Sequence, residues 1–106
     1  MAGQDTVHVL SLADVRRADV ARVGGKNASL GEMIGALASR GIAVPAGFAT
    51  TADAFRHYLS ANSLNDMIAQ SYHAYETGAV SLADTGARIR AAILSGAWPD
   101  DLADAI

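Results

Sequence analysis

The stretch 23–33, Val-Gly-Gly-Lys-Asn-Ala-Ser-Leu-Gly-Glu-Met, constrains this chain more than any other. It sets Lys26 between a glycine pair, Gly24 and Gly25, and the onset of an apolar helical pattern. Glycines let backbone N–H groups come close to a ligand, a helix start adds the positive end of its dipole, and a lysine adds a full, mobile charge. A phosphate suits that combination. The same tripeptide also serves as an ordinary sharp loop with a solvated lysine, and the local sequence leaves both readings standing. A Walker loop is excluded, because Val20 stands where its first glycine belongs and Asn27 where Ser or Thr must follow the lysine. A dinucleotide-binding fingerprint is excluded too, since no Gly-x-Gly precedes the helix.

Local pattern places the remaining elements. Residues 7–12 alternate and carry β-branched side chains, which predicts a short strand. The mixed charges Asp14, Arg16, Arg17, Asp19 and Arg22 predict a solvated loop or short helix. From Asn27 onward Leu30, Met33, Ile34, Leu37 and Ala38 recur at three and four, an amphipathic helix that Gly41 ends in a left-handed conformation. Met33 belongs to the apolar stripe and is expected in the core. Residues 42–45 then lead through Pro45 and Gly47, the glycine supplying a positive φ where needed, into a strand at 47–50. Helices are expected at Ala52–Ala61, with Phe55, Tyr58 and Leu59 on one side, and at Leu64–Glu76, ended by Gly78; Asn62 and Ser63 separate them. Ser81 and Asp84 form a capping signal for a helix with Leu82, Ile89, Ala92 and Ile93 on one face. Trp98-Pro99-Asp100-Asp101 starts another helix, with Pro99 at its first position and acids in its first turn.

Beyond Lys26, few side chains converge on chemistry. Thr50 or Thr51 is a good N-cap for the helix that follows, with Asp53 complementing the dipole. His8, His57 and His73 lack a compact ligand spacing, and Asp100, Asp101 and Asp104 read as a solvated helix start, so no metal site is expected. Arg88 and Arg90, two residues apart on a helix, point in different directions and make no anion clamp. Tyr72 and Tyr75 read as packing, because no basic residue is interleaved for base stacking.

Two longer segments carry a resemblance. The run 23–33 and the run 41–55, Gly-Ile-Ala-Val-Pro-Ala-Gly-Phe-Ala-Thr-Thr-Ala-Asp-Ala-Phe, together resemble the opening of the phosphoenolpyruvate synthase (pyruvate, water dikinase) family, with looser likeness through Asn62, Leu64 and residues 86–93. Pyruvate phosphate dikinase and rifampicin phosphotransferase share Gly-Gly-Lys and Pro-x-Gly-Phe elements, so another dikinase or a rifampicin phosphotransferase is the alternative parent. A non-catalytic helical interaction module is a further alternative. The resemblance implies an α+β, mostly helical fold: an incomplete N-terminal subdomain of an ATP-grasp nucleotide-binding module, covering 1–106. It implies that Lys26, Gly24 and Gly25 bind ATP, with Asn27, Thr50 and Thr51 as candidates near the nucleotide pocket, and that Mg²⁺ accompanies the nucleotide. A swivelling domain with a phosphorylated histidine and a barrel that binds pyruvate would lie outside this chain. So would an arginine-containing segment that joins the lysine on ATP, the metal-binding acids, and a cysteine at the pyruvate site. On that reading the 106 residues hold no catalytic residue of their own and are inactive alone, while the parent, a candidate homo-oligomer, is a cytoplasmic phosphotransferase.

Composition fits such a piece. With 51% hydrophobic and 18% charged residues and a net charge of −3, the chain shows no basic footprint for nucleic acid. No apolar run approaches the roughly 20 residues that span a bilayer, and residues 1–6 lack a cationic start followed by an apolar core. Cysteine is absent, which excludes disulfides and thiolate metal sites.

Overall fold

In the computed structural model, which describes residues 7–106, the chain is mostly helical with one small antiparallel sheet. Residues 1–6, expected to lack a cationic start followed by an apolar core, lie outside the described residues. The chain divides into two units. The first runs up to Arg56 and includes Asp101–Ile106; the second is His57–Asp100.

In the first unit, β1 (Val9–Ser11) pairs antiparallel with β2 (Phe48–Thr50), Val9 opposite Thr50 and Ser11 opposite Phe48. Both fall inside the expected strands. Backbone bonds extend the ladder at each end, from Leu12 N–H to the Gly47 carbonyl and from Thr51 N–H to the His8 carbonyl, both 3.0 Å. Gly47 does not adopt a positive φ as its turn position suggested; its need is spatial, since a Cβ there would lie 2.9 Å from Leu12 Cδ1. Two 3-10 turns, Leu12–Asp14 and Arg17–Asp19, occupy the mixed-charge stretch. They lead into α1 (Val20–Ala38), which starts earlier than the periodicity from Asn27 predicts.

The extra turn has a cause. Gly24 sits at φ 85 and ψ 163 inside α1 and kinks it, so that the helical run predicted from the sequence is the part beyond the kink. At its other end α1 stops as expected: Gly41 adopts φ 76, its N–H bonds the Ala38 carbonyl, and Ile42 N–H bonds the Leu37 carbonyl. That pair of bonds is the Schellman arrangement. The core of this unit gathers Val15, Val23 and Ala49, with Leu10 and Leu12 packed against them. Val15, fully buried, contributes on the order of 1.5–3 kcal/mol by removal from water.

One expectation about α1 is overturned. Met33 is 49% exposed and not in the core; the residues α1 buries are Val23, Ala28 and Gly31. The helix is pressed at its small residues. A Cβ on Gly31 would lie 2.2 Å from the Val15 carbonyl oxygen, and one on Gly35 would meet the Arg16 guanidinium at 3.3 Å. Periodicity marked the stripe of large residues, whereas close backbone approach selected the face of small ones.

Helix α2 (Ala52–Ala61) begins in the first unit and continues into the second. Its Tyr58 is buried, but Phe55, predicted on the same side, is 53% exposed. After a break at Asn62 and Ser63, the latter in a left-handed conformation (φ 55), come α3 (Leu64–Glu76) and α4 (Leu82–Leu94), which pack on each other. Gly78 (φ 82) closes α3 with the same two-bond stop as Gly41, through Gly78 N–H to Tyr75 and Ala79 N–H to Ala74. Ser81 Oγ accepts from Asp84 N–H at 3.1 Å, the predicted cap of α4. Leu82, placed on the apolar face by spacing, is instead exposed at the helix start.

The second unit is stitched where α2 ends. Tyr58 Oη donates to the Ile93 carbonyl at 2.6 Å, and the Trp98 ring meets Tyr58 edge-on with centroids 5.3 Å apart. Asn62 pairs with Ala97 twice, donating Nδ2–H to its carbonyl (2.9 Å) and accepting its N–H at Oδ1 (2.7 Å). Gly96 must be small, because a Cβ there would fall 2.4 Å from Tyr58 Oη. α5 spans Asp100–Ala105, with Pro99 just ahead of it and not at its first position. No helix among the described residues is long and apolar enough to cross a membrane.

Candidate phosphate-binding site

The kink at Gly24 builds the site. Its backbone angles lie in a region essentially reserved for glycine, and open space surrounds the position a Cβ would take. Gly25 follows, exposed, and then Lys26, exposed in the opening turn of the straight part of α1. Lys26 is the sole lysine of the chain. Arg22 pairs with Asp19 and Arg56 with Asp53, and the Lys26 ammonium is committed to neither acid. A cation without an acidic partner, beside bare glycine backbone, can accept an anion without first breaking an ion pair.

The other expected residues divide. Asn27, half-buried, donates Nδ2–H to the Val23 carbonyl at 2.9 Å and so bridges the kink. Thr51, 4% exposed, caps α2: its Oγ1 accepts from Ala54 N–H at 3.1 Å and donates to the Val7 carbonyl at 2.6 Å. The capping reading therefore holds for Thr51, whose hydroxyl is occupied on both sides. Thr50 is exposed on β2, opposite Val9. Gly24, Gly25, Lys26 and Asn27 are thus contiguous at the kink, while Thr50 and Thr51 stand at the sheet end and the α2 cap.

Sequence reasoning missed the frame around this loop. Glu32 Oε2 accepts the Arg17 backbone N–H at 2.7 Å, tying the second 3-10 turn to α1. Arg16 Nη1 donates to the carbonyls of Ala13 (2.8 Å) and Val15 (2.7 Å) and approaches that of Gly31 (3.5 Å). Asp19 accepts the Arg16 N–H (2.9 Å) and pairs with Arg22 (3.3 Å). Of the five charges expected to be solvated, Arg16 and Asp19 also bond local backbone, while Asp14, Arg17 and Arg22 are exposed. The signal that would have exposed the frame is the spacing of Gly31 and Gly35, four apart on one helix face, which invites close approach of another backbone. Arg17, Val20, Gly25, Ala28, Ser29 and Glu32 line an open depression of about 320 Å³ beside the kink. Gly25 is the member of the glycine-lysine run that faces it.

Residues 20–106 match the family described as pyruvate phosphate dikinase, AMP/ATP-binding domain. A phosphoenolpyruvate synthase of Pseudomonas aeruginosa is 48% identical over 93 residues, 87% of this chain and 12% of that protein. The phosphoenolpyruvate synthase of Escherichia coli K12 is 47% identical over 89 residues, 83% of this chain and 11% of that protein. Across the full chain, that of Synechocystis is 36% identical and is covered over 13% of its length. The chain thus spans about an eighth of the length of these relatives. With the AMP/ATP-binding domain matched from Val20 onward, the chain belongs to the pyruvate phosphate dikinase family of nucleotide-binding domains, in the branch of the phosphoenolpyruvate synthases.

Proposed function

We propose that this chain contributes the first phosphate contact of an ATP site, Lys26 meeting the polyphosphate while Gly24 and Gly25 allow close backbone approach. The observation that carries the reading is an exposed lysine, free of carboxylate partners, set directly after a glycine kink. The match to an AMP/ATP-binding domain supports it. The parent fold is an ATP-grasp module, of which these residues form the N-terminal subdomain. In the parent, ATP, pyruvate and water become AMP, phosphoenolpyruvate and phosphate by way of a phosphorylated enzyme histidine. Swivelling and pyruvate-binding domains outside this chain supply the later steps. Lys26 neutralises charge on the phosphates as bonds form and break, a role worth most where the site excludes water. Mg²⁺ comes with the nucleotide and screens its charge, and no described residue is assigned to it. The parent works in the cytoplasm, and these 106 residues alone turn over no substrate.

Calorimetric titration with Mg·ATP tests the reading. A hydrogen bond to a charged group is worth about 1.5–3 kcal/mol, so Lys26→Ala should weaken binding by about ten- to a hundredfold. Equal affinity of the variant and the unchanged chain would refute the assignment. The exposed side chains of Leu82, Leu94 and Trp98 favour a second reading, a helical module that binds another protein. Complete failure of the unchanged chain to bind Mg·ATP would leave that one standing.

A further inference from the structure

We infer that Glu32 is a positioning residue for Lys26. Its carboxylate clasps the backbone upstream of the Gly24 kink to the helix downstream, and so fixes the direction in which the lysine leaves the chain. The functional half of this inference rests on the phosphate-binding reading of Lys26; the mechanical half does not.

Gly24 brings no side chain to the bend, and nothing lies within 4 Å of where a Cβ would stand, so packing at the bend itself does not set its angle. Two ties cross it. The short one runs from Asn27 Nδ2 to the Val23 carbonyl, 2.9 Å. Close to the pivot, such a tie limits the gap but leaves the two arms free to swing. The long one runs from the Arg17 N–H to Glu32 Oε2, 2.7 Å, between positions 15 apart in sequence with Gly24 midway. Far from the pivot, a tie fixes the angle. The acceptor is a carboxylate, which makes the bond short and strong. Arg16 supports the same clasp, because its guanidinium holds the Ala13 and Val15 carbonyls and rests against Gly31 and Gly35, one turn apart on α1. Glu32 and Gly25 also wall the same depression, which places the clasp next to the loop it governs. Neither the depression nor Lys26 needs Glu32 as a ligand.

The test compares the unchanged chain with Glu32→Ala, Glu32→Gln and Lys26→Ala. Backbone ¹⁵N relaxation without nucleotide should show order parameters at Gly24, Gly25 and Lys26 falling in Glu32→Ala from about 0.85 to below about 0.6, while the sheet keeps its Val9–Thr50 register. Glu32→Gln, which keeps an oxygen acceptor, should restore them. Affinity for Mg·ATP should weaken about tenfold in Glu32→Ala and return to within about threefold in Glu32→Gln. Unchanged order parameters at the kink in Glu32→Ala would overturn the inference, as would unchanged affinity in that variant when Lys26→Ala is weakened. Should Glu32→Ala lose the sheet, Glu32→Met takes its place under the same criteria, and loss of the sheet in both overturns the positioning role. If Lys26→Ala binds as tightly as the unchanged chain, the phosphate reading falls, and the order parameters alone decide the clasp.

Discussion

Replacing Gly24 by alanine isolates the cost of the kink, since the new methyl meets nothing within 4 Å and the penalty is purely conformational. At φ 85 and ψ 163 an L-residue is held where its Cβ crowds its own backbone, a strain of about 1–3 kcal/mol. Against this, alanine lowers the entropy of the unfolded chain, which offsets about 0.4–1 kcal/mol. The net expectation is a loss of about 1–2 kcal/mol. Gly25 provides the internal comparison. It lacks a positive φ, and a Cβ there would sit at an ordinary 4.0 Å from Val20 Cγ2. Gly25→Ala should therefore be neutral or stabilising by up to about 1 kcal/mol, the usual gain over glycine within a helix. Urea unfolding followed by circular dichroism reads both. With a slope of about 1 kcal/mol per molar, the low end for small proteins, Gly24→Ala should lower the midpoint by about 1–2 M. A Gly24→Ala variant as stable as the original, or a Gly25→Ala variant that loses more than it, would refute the account of the kink.

Other outcomes follow from the same contacts. Thr51→Ala removes the α2 cap and the bond to the Val7 carbonyl, which should cost about 1–2 kcal/mol and speed hydrogen exchange at the Ala54 amide; unaltered exchange there would contradict the cap. Gly96→Ala pushes a methyl onto Tyr58 Oη and should destabilise by about 1–3 kcal/mol, with the near-ultraviolet signal of the Tyr58–Trp98 pair changing in step; a variant of unchanged stability would mean the contact is loose. The Lys26→Ala and Glu32→Ala titrations complete the set.

What the sequence made legible was local. Helices α2 and α3 are bounded by signals within a few residues of their ends, Thr51 before one and Gly78 after the other, and both lie where spacing and punctuation put them. The strands, the Gly41 stop and the Ser81 cap are of the same kind. The failures involve partners distant in sequence. Met33 lies on a regular apolar stripe, yet which side of α1 is covered depends on Val15 and Arg16, and the stripe carries no information about them. Likewise Glu32 looks like an ordinary helix-surface acid until the fold brings the Arg17 N–H within 2.7 Å. The glycine-lysine loop was visible because its chemistry is contiguous; its frame was not, because the bonds that hold it span 15 residues.

The doubled bond between Asn62 and Ala97 closes a long loop. A single amide side chain acts there as one rung of a ladder, bringing together backbone positions 35 apart. Everything from Ser63 to Gly96 is thereby an excursion that departs and returns at one spot, like a pendant on a clasp. Closing a loop grows harder only slowly with its length, about 0.6 kcal/mol for each doubling. The α3–α4 excursion could therefore gain or lose a turn of helix at little cost in closure while the Asn62–Ala97 rung keeps its ends buttoned.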